Sequence, residues 1–158
     1  MTRYEKPDWI TKHVANPVIE LMTTIGFSVR GSRVLAVPGR TSGRIRTTPV
    51  NLLELDGARY LVAPRGETEW VRNVRAAGRG ELRRGRQREV IRVEEIPDDA
   101  KPPILRAYLR RWKIETAKFF DGVTAESPET ELRRIAPRHP VFQVSPPSPS
   151  SSAPPRAP

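Results

Sequence analysis

The stretch Thr47-Thr48-Pro49-Val50-Asn51-Leu52-Leu53-Glu54-Leu55-Asp56-Gly57-Ala58-Arg59-Tyr60-Leu61-Val62-Ala63 decides the fold. Two β-rich runs flank Asp56-Gly57, and Asp-Gly tolerates the paired positive φ angles of a two-residue hairpin turn. The reading is a strand over Thr47–Leu55, a tight turn, and a second strand over Arg59–Ala63.

Working outward, Arg33–Pro38 reads as an earlier strand, joined to the hairpin by Gly39-Arg40-Thr41-Ser42-Gly43-Arg44-Ile45-Arg46. Before it, Trp9, Ile10, Val14, Val18, Leu21, Met22 and Ile25 recur at helical spacing, with Pro17 as a kink and Gly26 as a stop. After the hairpin, Pro64-Arg65-Gly66-Glu67 is a loop leading into a short helix, with Thr68 as N-cap and Gly78 past its end. Strands near Glu81–Arg84 and Arg88–Ile96 join at Gly85. Ile104, Leu105, Tyr108, Leu109, Trp112, Thr116 and Phe119 then repeat with a helical period, Arg106, Arg110, Arg111 and Lys113 falling on the other face. Ser127-Pro128 starts a short helix with Pro at its first position, and Val141–Val144 reads as the final strand.

Strands linked by hairpin-length connections dominate the middle of the chain. The fold class is therefore α+β with a mainly β core, an antiparallel sheet curled into a barrel with peripheral helices. The expected organisation is an N-terminal helical extension over 1–16, a barrel domain over 17–145, and a disordered Pro/Ser tail over 146–158.

Composition excludes several classes. The chain has 158 residues, 17 Pro and no Cys, which rules out a disulfide framework, a zinc finger and a cysteine nucleophile. No apolar run reaches membrane-span length, and the N-terminus is too charged for a signal peptide, so a cytoplasmic location is expected. The formal charge is +10. A basic surface attracts nucleic acid, anionic lipid or a polyanionic small molecule, or it is simply solvated. The run Arg79–Arg92 lacks interleaved aromatics for base stacking, so no nucleic acid is expected, and Arg84, Arg86 and Arg88 read as blunting an exposed sheet edge.

The catalytic inventory is short. His13 and His139 are the only histidines, neither at a ligand spacing, so no metal site is expected. No carboxylate pair stands out, and neither Ser32 nor Ser42 sits in a nucleophile elbow. Such a chain does chemistry best with a cofactor that carries the reaction itself. The Gly39–Arg46 loop suits an anion: glycines let N–H groups turn inward, hydroxyls donate, and guanidinium forks bind phosphate or carboxylate. Each charge-assisted contact contributes roughly 1.5–3 kcal/mol. Its glycine spacing is not that of a Walker loop, and a solvated basic hairpin loop is the competing reading. Trp70 and Asn73 share a helix face three residues apart, beside an anion-favouring helix N-terminus at Thr68 and Glu69. Tyr108 and Trp112, four apart, are either core residues or the wall of an apolar pocket with the Tyr108 hydroxyl as proton donor.

The ordered set Pro38-Gly39-Arg40-Thr41-Ser42-Gly43-Arg44-Ile45-Arg46-Thr47-Thr48-Pro49, then Asp56 to Ala63, then Trp70-Val71-Arg72-Asn73, then His139-Pro140-Val141-Phe142, resembles the deazaflavin-dependent nitroreductase family. The likeness spans about residues 17 to 145. It implies a split β-barrel that binds an 8-hydroxy-5-deazaflavin coenzyme (the F-420 type) and passes hydride from it to an electrophilic acceptor, a quinone, an activated alkene or a nitro compound. By motif position it places Arg40, Thr41, Ser42 and Arg46 on the coenzyme's phosphate and acidic tail. Thr48 and Pro49 fall near the coenzyme, and Ala63, Pro64 and Arg65 along its ring or linker. Trp70 and Asn73 occupy the helix positions that help hold it, and Tyr108 is the nearest match to the substrate-side tyrosines. Thr41 stands where many members have Lys or Arg, and the segment between Arg65 and Trp70 is shorter than in better-known members. FMN in the same barrel and a non-catalytic carrier of an anionic ligand are the alternatives. A homodimer and a peripheral membrane contact, the latter through Trp9 beside Lys6 and Lys12, complete the expected partners.

Overall fold

The computed structural model describes residues 31–112 and 117–147. The helix read over Trp9–Gly26, the 1–16 extension and most of the Pro/Ser tail lie outside the described residues. Six strands form a closed, fully antiparallel barrel: β1 (Ser32–Pro38), β2 (Ile45–Leu55), β3 (Ala58–Val62), β4 (Arg79–Arg84), β5 (Gln87–Glu95) and β6 (Val141–Ser145), in the order β1-β2-β3-β6-β5-β4. Among the described residues three α-helices accompany it: α1 (Glu69–Ala77), α2 (Pro102–Arg111) and α3 (Glu129–Ile135).

The deciding hairpin forms as read. Asp56 and Gly57 have φ of 51° and 81°, and the register runs from Leu55 opposite Ala58 to Leu52 opposite Leu61. Both central residues at positive φ match the right-handed twist of the flanking strands. β6 slots between β3 and β5, with Phe142 opposite Leu61 and Val144 opposite Val93, and closes the cylinder.

Strand alternation separates two cores. Leu35, Val50, Leu52, Leu61, Ile91 and Phe142 fill the barrel interior, where Val71 and Val74 of α1 join them. The neighbouring residues Leu53, Val62 and Val141 point outward, where Leu105, Tyr108 and Leu109 of α2 and Leu132 and Ile135 of α3 cover them. Truncating a fully buried leucine in either layer to alanine costs about 2–5 kcal/mol. Two expectations need correcting. The helical period through Phe119 is not one helix: α2 ends at Arg111, and Phe119 belongs to a separate 3-10 turn, Ala117–Phe119. Pro128 is the extended N-cap of α3, not its first residue.

Among the described residues no helix is long and apolar enough to cross a membrane. Much of the Arg79–Arg92 charge is paired across the sheet surface: Arg83 lies 2.6 Å from Glu81, Arg92 3.2 Å from Glu94, and Glu89 2.7 Å from Arg59.

Candidate functional site

The Gly-rich loop between β1 and β2 is a tight, internally bonded turn. Gly39 donates its N–H to the Arg44 carbonyl at 2.7 Å, Gly43 donates back to Gly39 at 2.9 Å, and the Ser42 hydroxyl accepts from the Arg44 N–H at 3.1 Å. Gly43 sits at φ +77°, where a side chain is strained. The loop is pinned to α1 by one side chain. Asn73 Oδ1 accepts from the Arg40 backbone N–H at 3.0 Å and from its guanidinium at 2.8 Å, and Glu69 accepts a further guanidinium bond at 2.9 Å. The Arg40 hydrogen bond holds the Glu69 carboxyl below its ordinary range.

α1 is placed by the barrel. Thr68 is its N-cap by position, and Gly78 ends it in the left-handed conformation, returning its N–H to the Val74 carbonyl. This sets Trp70 against Phe142 with ring centroids 5.8 Å apart and directs Asn73 toward the loop.

Between β2, α1, α2, the segment after β3 and the Ala117–Phe119 turn lies a cleft of about 690 Å³. Of the residues expected at a site, Arg46, Thr48, Pro49, Pro64, Arg65, Trp70, Asn73 and Tyr108 line it. Arg40, Thr41 and Ser42, in the loop before β2, are not among the lining residues. Ala63 is 1% exposed within the barrel core and is not among the residues lining the cleft. Tyr108 is 2% exposed and packs on Trp112 at 4.9 Å and Phe120 at 6.1 Å, a core aromatic that also closes the cleft.

Lining residues that were not expected at the site include Asn51, Lys118 and Phe119. Phe119 carries the Arg65 guanidinium over its ring at 5.1 Å and the Lys118 ammonium at 5.2 Å. Asn51 had a signal: it is the one polar side chain within the apolar run from Val50 to Leu53. Thr68 and Glu69, read as a potential anion site, also reach the cleft.

His139 supports the wall from behind. It is 4% exposed, stacks on Phe120 at 4.2 Å, and places Nδ1 3.1 Å from the Ala63 carbonyl. A carbonyl only accepts, so Nδ1 carries the proton. Burial pushes the imidazole pKa down, the Ala63 bond opposing it.

The lining matches a flat, anionic organic coenzyme. Trp70, Phe119, Pro49 and Pro64 offer ring-sized apolar faces. Arg46, Arg65 and Lys118 have no carboxylate partner among the described residues. Buried polar atoms of Asn51 and Thr68 also lack a partner there. Fold and cleft together define a split β-barrel with a ligand pocket against its flank. The family whose model is described as F420H(2)-dependent quinone reductase matches residues 20–121, and the chain belongs to it. It is thus an oxidoreductase of a family that works with the reduced deazaflavin coenzyme, in agreement with the resemblance read from the sequence.

Among solved structures, an F420-H2 dependent reductase (FDR-A) is 19% identical with a TM-score of 0.51, the match covering 73% of this chain and 95% of that one. A protein of unknown function from Agrobacterium tumefaciens is 19% identical with a TM-score of 0.53, over 77% of this chain and 53% of that one. A chain described as a domain-swapped dimer is 19% identical with a TM-score of 0.52, over 89% and 99%. Likeness at this identity speaks to the barrel alone. No curated protein matches the chain.

Proposed function

We propose that the chain reduces a quinone with hydride from the deazaflavin coenzyme, and that activated alkenes and nitro compounds are further acceptors of the same electrophilic kind. The observation that carries this reading is the cleft itself, ring-walled on one side and edged by unpaired cations on the other. When bound, the coenzyme supplies the hydride from its reduced ring. Arg46, Arg65 and Lys118 hold its negative charge, the guanidiniums as bidentate forks. Trp70, Pro49, Pro64 and Phe119 would offer apolar faces to its flat ring system, while Val50, Val62 and Tyr108 would help exclude water from the cleft. The acceptor gains that hydride and one solvent proton and leaves as the hydroquinone. The loop's internal bonds and its Asn73 pin hold the turn that leads into Arg46, which would lower the cost of ordering that cation on binding.

A fluorescence titration of the purified chain with the oxidised deazaflavin coenzyme, run beside FMN, tests the reading. Selective deazaflavin binding, followed by reoxidation of the reduced coenzyme on addition of menadione, supports it. Preference for FMN, or coenzyme binding with no turnover of menadione, overturns it.

A further inference from the structure

Asn51 lies on β2 between Val50 and Leu52, both of which fill the barrel interior. Alternation therefore turns its side chain to the outer face it shares with Leu53, the face that α2 covers. There it lines the cleft together with Pro49 and Tyr108. The residue is 3% exposed, and neither its Nδ2 nor its Oδ1 has a hydrogen-bond partner among the described residues.

A buried carboxamide with both polar atoms unpaired is a costly choice for a strand position flanked by Val50, Leu52 and Leu53. An apolar side chain of similar size would avoid that cost. Among the described residues no strand, cap or loop takes a hydrogen bond from the amide. Its place on the cleft wall supplies a reason for keeping it, because a ligand seated there would complete both valences.

We propose that Asn51 is the residue that binds the reacting oxygen of the acceptor. Nδ2 donates to the acceptor's carbonyl oxygen before reduction, and Oδ1 receives the hydroxyl that reduction creates on that oxygen. A carboxamide presents donor and acceptor side by side and stays uncharged throughout. One residue therefore pairs with both the quinone and the hydroquinone. A carboxylate would offer acceptors only, and a leucine neither. Two electrons and one proton arrive together as the hydride and the second proton comes from solvent, so Asn51 gains and loses no proton. The cleft's other unpaired buried atom, Thr68 Oγ1, stands at the start of α1, the helix that carries the loop's Asn73 pin. The two polar atoms thus belong to different walls, one beside the cationic loop and one beneath α2.

The assignment rests on the proposed quinone reductase activity, and the experiment separates the two. In the full chain, Asn51→Leu and Asn51→Asp are compared with the parent by thermal unfolding without ligand, by coenzyme fluorescence titration, and by kcat and KM for menadione at saturating reduced coenzyme. The expected result is an unchanged or higher unfolding temperature for Asn51→Leu, coenzyme affinity within about twofold of the parent, and a menadione KM raised about tenfold in both variants, the loss of roughly one hydrogen bond. An unchanged KM overturns the assignment. So does a lower unfolding temperature for Asn51→Leu with KM unmoved, which marks a structural role. Loss of coenzyme affinity in place of a KM change also overturns it, by putting Asn51 on the coenzyme. Failure of the parent chain itself to bind coenzyme or reduce menadione overturns the functional reading, and is seen before any variant is measured.

Discussion

A single oxygen of Asn73 receives two hydrogen bonds from Arg40, one from the backbone N–H at 3.0 Å and one from the guanidinium at 2.8 Å. Asn73 is 3% exposed, so the Gly-rich loop is anchored to α1 through a buried contact rather than draped over it. The Trp70-to-Asn73 spacing in the sequence is therefore also a structural device, because it sets the loop against the cleft.

Asn73→Leu removes the acceptor and leaves the Arg40 N–H unpaired. Urea unfolding should show a loss of about 1–3 kcal/mol. Coenzyme affinity should fall with it, because the loop is no longer fixed in advance. Asn73→Asp keeps an acceptor at the same place and should recover most of both.

Arg46 and Arg40 should part company. The Arg46 side chain lines the cleft without an acidic partner among the described residues, whereas Arg40 is committed to Asn73 and Glu69. Arg46→Ala should weaken coenzyme binding about tenfold at low salt, with the gap narrowing as salt rises, and leave stability within about 0.5 kcal/mol. Arg40→Ala should instead lower stability by ~1 kcal/mol. Equal coenzyme loss from both, with stability unmoved in both, would show that the guanidinium of Arg40 leaves its pin to meet the ligand.

Gly66 stands at φ +81°, and a Cβ there would lie 3.0 Å from the Arg138 carbonyl oxygen. Backbone does not yield as a flexible side chain does. Gly66→Ala should cost about 1–3 kcal/mol by thermal or urea unfolding and disturb the Pro64–Arg65 wall of the cleft.

Stability should fall on mild acidification through His139. Its folded-state pKa is lowered, chiefly by burial, so the unfolded chain binds the proton more readily. The contribution is complete above the unfolded value of about 6.5 and is lost as pH drops from there toward the folded value. Urea midpoints between about pH 7.5 and 5 should decline more steeply for the parent than for His139→Gln, which removes this titration. Parallel declines would assign the acid sensitivity to carboxylates instead.

The strands were legible because apolar alternation, Asp56-Gly57 and Gly85 all act locally, over neighbours in sequence. The order in which they close was not, since the pairing of Leu61 with Phe142 spans most of the domain. The cleft was legible where a motif carried it, at Arg46, Pro49, Arg65 and Trp70, and opaque where only packing does. Asn51 reads in the sequence as one polar residue in a strand, and only its burial, with no partner among the described residues, sets it apart. Phe119 reached the cleft because the chain left the helix after Arg111, while a helical period extended past that point. Ala63 shows the same dependence on packing: its methyl lies in the barrel core, while its backbone bonds Gly66, Pro140 and His139.

Closure of the barrel by β6 has a consequence during synthesis. Until residues 141–145 leave the ribosome, β3 and β5 each present a bare row of backbone donors and acceptors, and Phe142 is missing from the interior it will fill. The nascent chain must hold five strands as an open, adhesive sheet and complete them in one late stroke. Ribosome-stalled chains tethered too briefly for residues 141–145 to emerge should therefore be protease-sensitive, and a tether just long enough to release them should make the chains abruptly resistant.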